Sequence, residues 1–169
     1  MSASGLVVLT PELDRAVADL RALHDPAARQ GMPAHATVLY PFMDPARLGR
    51  AARGRLAATI RGFKAFELTF PGVGRFPEAL WVAPAPAGPL VELTRALEAA
   101  FPKYPAYGGQ FETVIPHVTV ALGESAEMAM LEPELRRRLE APVRQAVGAL
   151  SLFTIVRRRW REVDRFPLG

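Results

Sequence analysis

The chain has 169 residues, half of them hydrophobic and 22% charged, a balance that suits one domain with a sizeable core and excludes a disordered chain. It contains no cysteine, which removes disulfides, thiolate nucleophiles and cysteine-ligated zinc. A net charge of +4 and a pI near 10.1 are compatible with a phosphate-bearing partner, although the positive charge is nearly all arginine, as a compositional bias of the genome would also produce.

The N-terminal segment, MSASGLVVLTPELD, lacks a basic lead, and its apolar run is cut off by Thr10-Pro11-Glu12. It reads as neither a signal peptide nor a membrane span, and a cytoplasmic location is the default expectation. Residues 6–9 read as a buried strand, and Thr10-Pro11 supplies an N-cap and a first-turn proline for a helix. Leu13, Ala16, Val17, Leu20 and Leu23 keep helical spacing until His24-Asp25-Pro26 stops it. A loop then leads to the phrase PAHATVLY, ended by Pro41.

Asp44-Pro45 predicts the start of a second helix that runs to Gly62, with Leu48, Ala52, Leu56 and Ile60 as its apolar stripe. FELTF alternates as a half-buried strand and should break at Pro71-Gly72. The order then repeats: a strand over 79–83, a helix from Gly88-Pro89, a loop PKYPAYGG, and the phrase IPHVTVAL. A helix over about 127–147 and strands near 150–156 and 160–166 complete the chain. The expected fold is a single α+β domain over 1–169, bilobal and internally duplicated, with approximate repeat halves 5–72 and 78–169. Terminal strands are free to cross between the lobes.

Two of only three histidines, His35 and His117, share the pattern His-x-Thr-Val. With threonine at roughly 5% of positions, two such coincidences among three histidines have a chance of about 0.7%. In an extended strand, His35 and Thr37 project to one side, and His117 and Thr119 do likewise. If the lobes face each other, two imidazoles and two hydroxyls meet. One neutral and one protonated imidazole can divide a proton transfer without a metal, and hydroxyls can donate to phosphoryl oxygens, which suits phosphodiester chemistry.

HATV at 35–38 and HVTV at 117–120, with LYPF after the first motif and ALWVA between the two, resemble the 2H phosphoesterase superfamily. That superfamily includes 2′,3′-cyclic nucleotide phosphodiesterases and the bacterial proteins named 2′-5′ RNA ligases. The resemblance covers essentially the whole chain. It implies two mostly antiparallel sheets with helices outside and a central cleft, His35 and His117 as catalytic acid and base, and Thr37 and Thr119 as phosphate-binding residues. It also implies no cofactor or metal, and as partner a nucleotide or RNA-end cyclic phosphodiester. A monomer with no membrane association is expected. The reaction implied is hydrolysis of 2′,3′-cyclic phosphates; ligase-type transesterification and a non-catalytic nucleotide- or RNA-binding module are the alternatives.

Other residues have plainer readings. His24 reads as a helix-end or surface residue, and a zinc site built from His24, His35 and His117 has no usual spacing. Tyr40, in regular alternation, points away from the histidine face. Tyr104, Tyr107 and Phe111 are either a stacking wall or loop packing. RRRWR at 157–161 reads as a solvated hairpin with Trp160 anchoring the core, with nucleic-acid contact as the alternative, and ELRRRLE as an exposed helix face.

Overall fold

Alternating burial picks out the strands, and amphipathic spans between them fold as helices over one face of the resulting sheet. The computed structural model describes residues 4–169, so residues 1–3, the start of the segment weighed as a leader, lie outside the described part. In chain order come β1 (Ser4–Leu9), α1 (Pro11–His24), α2 (Pro26–Arg29), β2 (His35–Phe42), α3 (Arg50–Arg61), β3 (Phe66–Phe76) and β4 (Ala79–Ala85). They are followed by α4 (Gly88–Ala100), β5 (Val118–Leu122), α5 (Ser125–Arg138), β6 (Arg144–Val147), β7 (Ala149–Val156) and β8 (Arg159–Pro167). The class is α+β, and every strand pairing is antiparallel. No helix among the described residues is long and apolar enough to cross a membrane.

The strands form one order, β6-β3-β4-β5-β2-β1-β7-β8. Two four-stranded groups are joined at the centre by a single residue pair, Ala36 with Val118, where two sheets were expected. Group membership ignores the midpoint of the chain. β3 pairs with β4 and β6, whereas β7 and β8 return to complete the group of β1 and β2. The helices cross as well: α1 packs on β5 and β6, and α4 packs on β2. Their apolar stripes, including Leu13 and Val17 of α1 and Leu90, Leu93 and Leu97 of α4, bury a continuous core with Ala36, Val38, Leu80, Val82, Val118 and Val120.

Several local expectations give way to tertiary pairing. Thr10 precedes α1 but does not cap it: its N–H donates to the Ala34 carbonyl, and its hydroxyl is buried without a partner among the described residues. The helix expected from Asp44 begins only at Arg50. Asp44 instead caps a short 3-10 turn over Pro45–Arg47, and Leu48 turns into the core before Gly49 restarts the chain as a helix. β3 runs on through Pro71-Gly72, because a bulge between Thr69 and Gly72 absorbs the proline that cannot donate to the ladder. The helix expected over 127–147 ends at Arg138, and 144–147 is a strand. Pro142 interrupts the helical run, and Gln145 and Val147 turn inward as that strand pairs with Leu68 and Phe66 of β3.

The bulge that matters most lies in β2. Val7 pairs with Thr37, but Leu6 pairs with Leu39, so Val38 is an extra residue and both Val38 and Leu39 face the core. The hydroxyl of buried Thr94 on α4 lies 2.8 Å from the Val38 carbonyl, which the interrupted ladder would otherwise leave short of a donor, and 3.0 Å from Leu90 O. Thr94→Val keeps the shape and removes that donor; we expect a loss of about 1–3 kcal/mol in urea unfolding.

Candidate active site

The four motif side chains share the sheet face opposite the helices. Ala36 and Val118, paired at the centre, are fully buried on the helix side, so their neighbours point the other way. Continuing that antiparallel register one residue in each direction sets His35 across from Thr119, and Thr37 across from His117. Directly opposed side chains in such a ladder have Cβ atoms roughly 5 Å apart, and diagonal ones roughly 7–8 Å. The seam therefore puts two imidazoles and two hydroxyls on one patch. All four are half-buried, and neither threonine hydroxyl has a protein partner among the described residues.

Each imidazole is held in the same way. His35 Nδ1 lies 2.8 Å from the carbonyl of Pro33, and His117 Nδ1 lies 2.8 Å from the carbonyl of Ile115. A carbonyl only accepts, so Nδ1 carries the proton in both rings and Nε2 is left as the nitrogen free to exchange one. Burial pushes the His35 imidazole down to about 4; the Pro33 carbonyl and Asp25 oppose this, and Arg21 and His117 add to it. Burial also lowers His117, against its bond to Ile115.

The loop before His35 is fixed carbonyl by carbonyl. Trp160 N–H donates to Gln30 O, Arg21 Nη1 to Met32 O, His35 Nδ1 to Pro33 O and Thr10 N–H to Ala34 O. Arg21 is itself buried, with Nη2 2.8 Å from the equally buried Asp25 carboxylate, whose other oxygen accepts the Ala27 N–H at the start of α2. This ion pair escaped sequence reasoning. The i, i+4 spacing of Arg21 and Asp25 is visible in the sequence, but it normally marks an exposed helix pair.

Around His35 a depression of 230 Å³ is lined by Thr37, Tyr40, Met32, Phe153 and Trp160 among others. Tyr40 belongs to this face, contrary to the reading from regular alternation, because the extra residue in β2 reverses the side on which it emerges. Its ring meets Trp160 edge-on at 6.2 Å and fills the space over Gly5, where an added Cβ would come within 3.0 Å of Tyr40 Cδ2. Trp160 likewise does not anchor the main core; it packs on a small separate cluster of Val7, Met32 and Phe153.

His117 borders a second depression, of 410 Å³, with Phe76, Tyr107, Phe111, Val114 and Ile115. Phe76 meets its ring edge-on at 5.2 Å, and Trp81 lies at 5.8 Å over Gly74. Of the three loop aromatics, Tyr107 and Phe111 line this wall, whereas Tyr104 packs against Phe42 in the core. β5 repeats the bulge of β2: Trp81 pairs with Thr119 but Leu80 with Ala121, so Val120 is the extra residue. The two motifs therefore share a backbone irregularity as well as a sequence.

Neither depression is lined by lysine or arginine. His24 lies away from both, its Nδ1 3.1 Å from Glu127 of α5. The exposed face read in ELRRRLE is present, with Glu134 binding Arg137 and Arg138. Among the described residues, no three His, Asp or Glu side chains are grouped as metal ligands.

The sequence matches the family model described as the 2′-5′ RNA ligase superfamily over residues 9–159. Solved structures share the fold. A structure described as a phosphoesterase superposes with a TM-score of 0.65 at 21% identity, covering 100% of this chain and 99% of that one. E. coli LigT complexed with NADP+ gives 0.64 at 21% identity, covering 99% and 98%. Kluyveromyces marxianus Usb1 gives 0.55 at 17% identity, covering 98% and 97%. No curated protein matches the sequence.

Arg21→Ala leaves the Asp25 carboxylate buried without its cation and releases the Met32 carbonyl. We expect a loss of about 3–5 kcal/mol in chemical denaturation, the scale of breaking one side of a buried pair.

Proposed function

The chain belongs to the 2′-5′ RNA ligase superfamily, the 2H phosphoesterases, and on that premise we propose that it hydrolyses 2′,3′-cyclic phosphodiesters of nucleotides or RNA ends. The observation that carries the reading is the matched pair of imidazoles on one sheet face, each with Nδ1 tied to a carbonyl and Nε2 free.

His35 is the base and His117 the acid in this direction. His35 has a pKa lowered to about 4 and is neutral at ordinary pH, so its Nε2 can take a proton from water as the water oxygen attacks phosphorus. The bond from phosphorus to one ribose oxygen breaks, and His117 Nε2 delivers a proton to that leaving oxygen. The Thr37 and Thr119 hydroxyls donate to the non-bridging oxygens, where negative charge accumulates. With no lysine or arginine lining the depressions, imidazolium and hydroxyl groups carry that stabilisation locally. With a ribose hydroxyl in place of water as the nucleophile, the same proton transfers would open the cyclic phosphate and join two ends, and product analysis separates the two.

His35→Ala and His117→Ala are each expected to lower kcat/KM toward 2′,3′-cyclic nucleotides by about 10²–10⁴, and Thr37→Val or Thr119→Val by about 10². The pH profile of kcat/KM should be a bell on the acid side. It rises as His35 loses its proton above about 4, and falls as His117, lowered below 6.5, loses its own. Phosphorus NMR of the products over that range is the direct assay. Full turnover by either histidine variant would sink the assignment.

A further inference from the structure

The basic phrase RRRWR remains outside the chemistry described so far, and its placement is specific. β7 and β8 are joined by a two-residue turn, Arg157-Arg158, closed by the pair Val156 with Arg159. Both turn residues have positive φ, 50° and 64°. This is the left-handed region at both central positions that characterises the hairpin turn for which Asn-Gly is the preferred sequence. Two arginines there hold backbone strain that neither asparagine nor glycine would incur. The hairpin itself therefore gives no reason for arginine at these positions, and strain kept at a defined site points to a use.

Arg157, Arg158, Arg159 and Arg161 are all exposed, and none forms an ion pair among the described residues, whereas the comparable run Arg136-Arg137-Arg138 on α5 is neutralised by Glu132, Glu134 and Asp19. Trp160, two positions beyond the turn, lines the His35 depression beside Tyr40, and its backbone N–H holds the Gln30 carbonyl of the loop leading to His35. A strand rises about 3.4 Å per residue, so the uncompensated charge begins within roughly 7 Å of strand from the aromatic wall. The depressions themselves supply no fixed cation.

An aromatic surface followed by free guanidinium groups is the pattern that binds a single-stranded polynucleotide, base on ring and phosphate on arginine. We propose that the β7–β8 hairpin is a docking arm for single-stranded RNA: Tyr40 and Trp160 receive a base next to the reacting phosphate, and Arg157 and Arg158 each hold one backbone phosphate farther along. The inference rests on the proposed reaction for where the reacting phosphate lies. It assigns the substrate as an RNA chain end in preference to a free mononucleotide.

The test uses R157N/R158G, which removes both charges and installs the preferred turn sequence, so the hairpin is retained. Fluorescence anisotropy with a labelled single-stranded RNA dodecamer across a salt series is measured beside turnover of a 2′,3′-cyclic mononucleotide. The expected result is RNA binding weakened by about tenfold or more, with the slope of log affinity against log salt shallower by about 1.4, or roughly 0.7 per lost phosphate contact. Cyclic mononucleotide turnover should be unchanged, and R157K/R158K should retain most of the RNA affinity. RNA binding by R157N/R158G indistinguishable from wild type, in strength and slope, overturns the arm. If the wild-type protein shows that RNA loss on substitution yet turns over no cyclic phosphodiester, the arm stands and the reaction assignment falls.

Discussion

The structure depends on a seam one residue pair wide. β2 and β5 belong to different four-stranded groups and meet at Ala36 and Val118, which have small or branched side chains buried under the helices. Because side chains alternate along a strand, burying these two residues turns His35, Thr37, His117 and Thr119 to the opposite face. Antiparallel pairing then crosses each histidine with the threonine of the other motif. Helix packing reinforces the junction: α1 and α4 each lie on the strand of the opposite group, so neither group covers its own apolar face alone.

Around the seam the backbone is held by groups outside the motifs. In both motif strands an extra residue follows the threonine, Val38 in one and Val120 in the other, so that two consecutive side chains face the core and the next one emerges on the histidine face. For β2 that next residue is Tyr40, which makes an aromatic wall out of a position that regular pleating would bury. The loop over residues 30–34 is fixed by donors from β8, α1, the His35 ring and Thr10. Holding the Pro33 carbonyl in place fixes the His35 tautomer, and enclosing the ring favours its neutral form.

The two imidazoles have different surroundings despite their equivalent bonds. His35 sits near a buried ion pair, Arg21 with Asp25, beneath a depression walled by Tyr40, Met32, Phe153 and Trp160. His117 lies against Phe76 and Trp81 and opens on a larger, aromatic-lined depression. One chemical unit used twice thus acquires two unlike walls.

The sequence by itself determined which side chains the repeated motif carries and their common facing. A repeated His-x-Thr on an extended segment sets imidazole and hydroxyl on one side, and that follows from a strand's period of two without knowledge of the rest of the chain. The α+β class and most strand and helix cores were legible for the same reason, since they rest on periodicities read within a dozen residues. Only the tertiary structure decided which strands are neighbours, that residues 144–147 complete a sheet edge beyond the end of α5, that β3 continues through Pro71, and that Tyr40 and Trp160 share the His35 depression. Each of these depends on pairing between residues far apart in the chain. A bulge or an edge strand is chosen by the register and the unsatisfied backbone groups of a distant partner, and the local pattern carries no record of them.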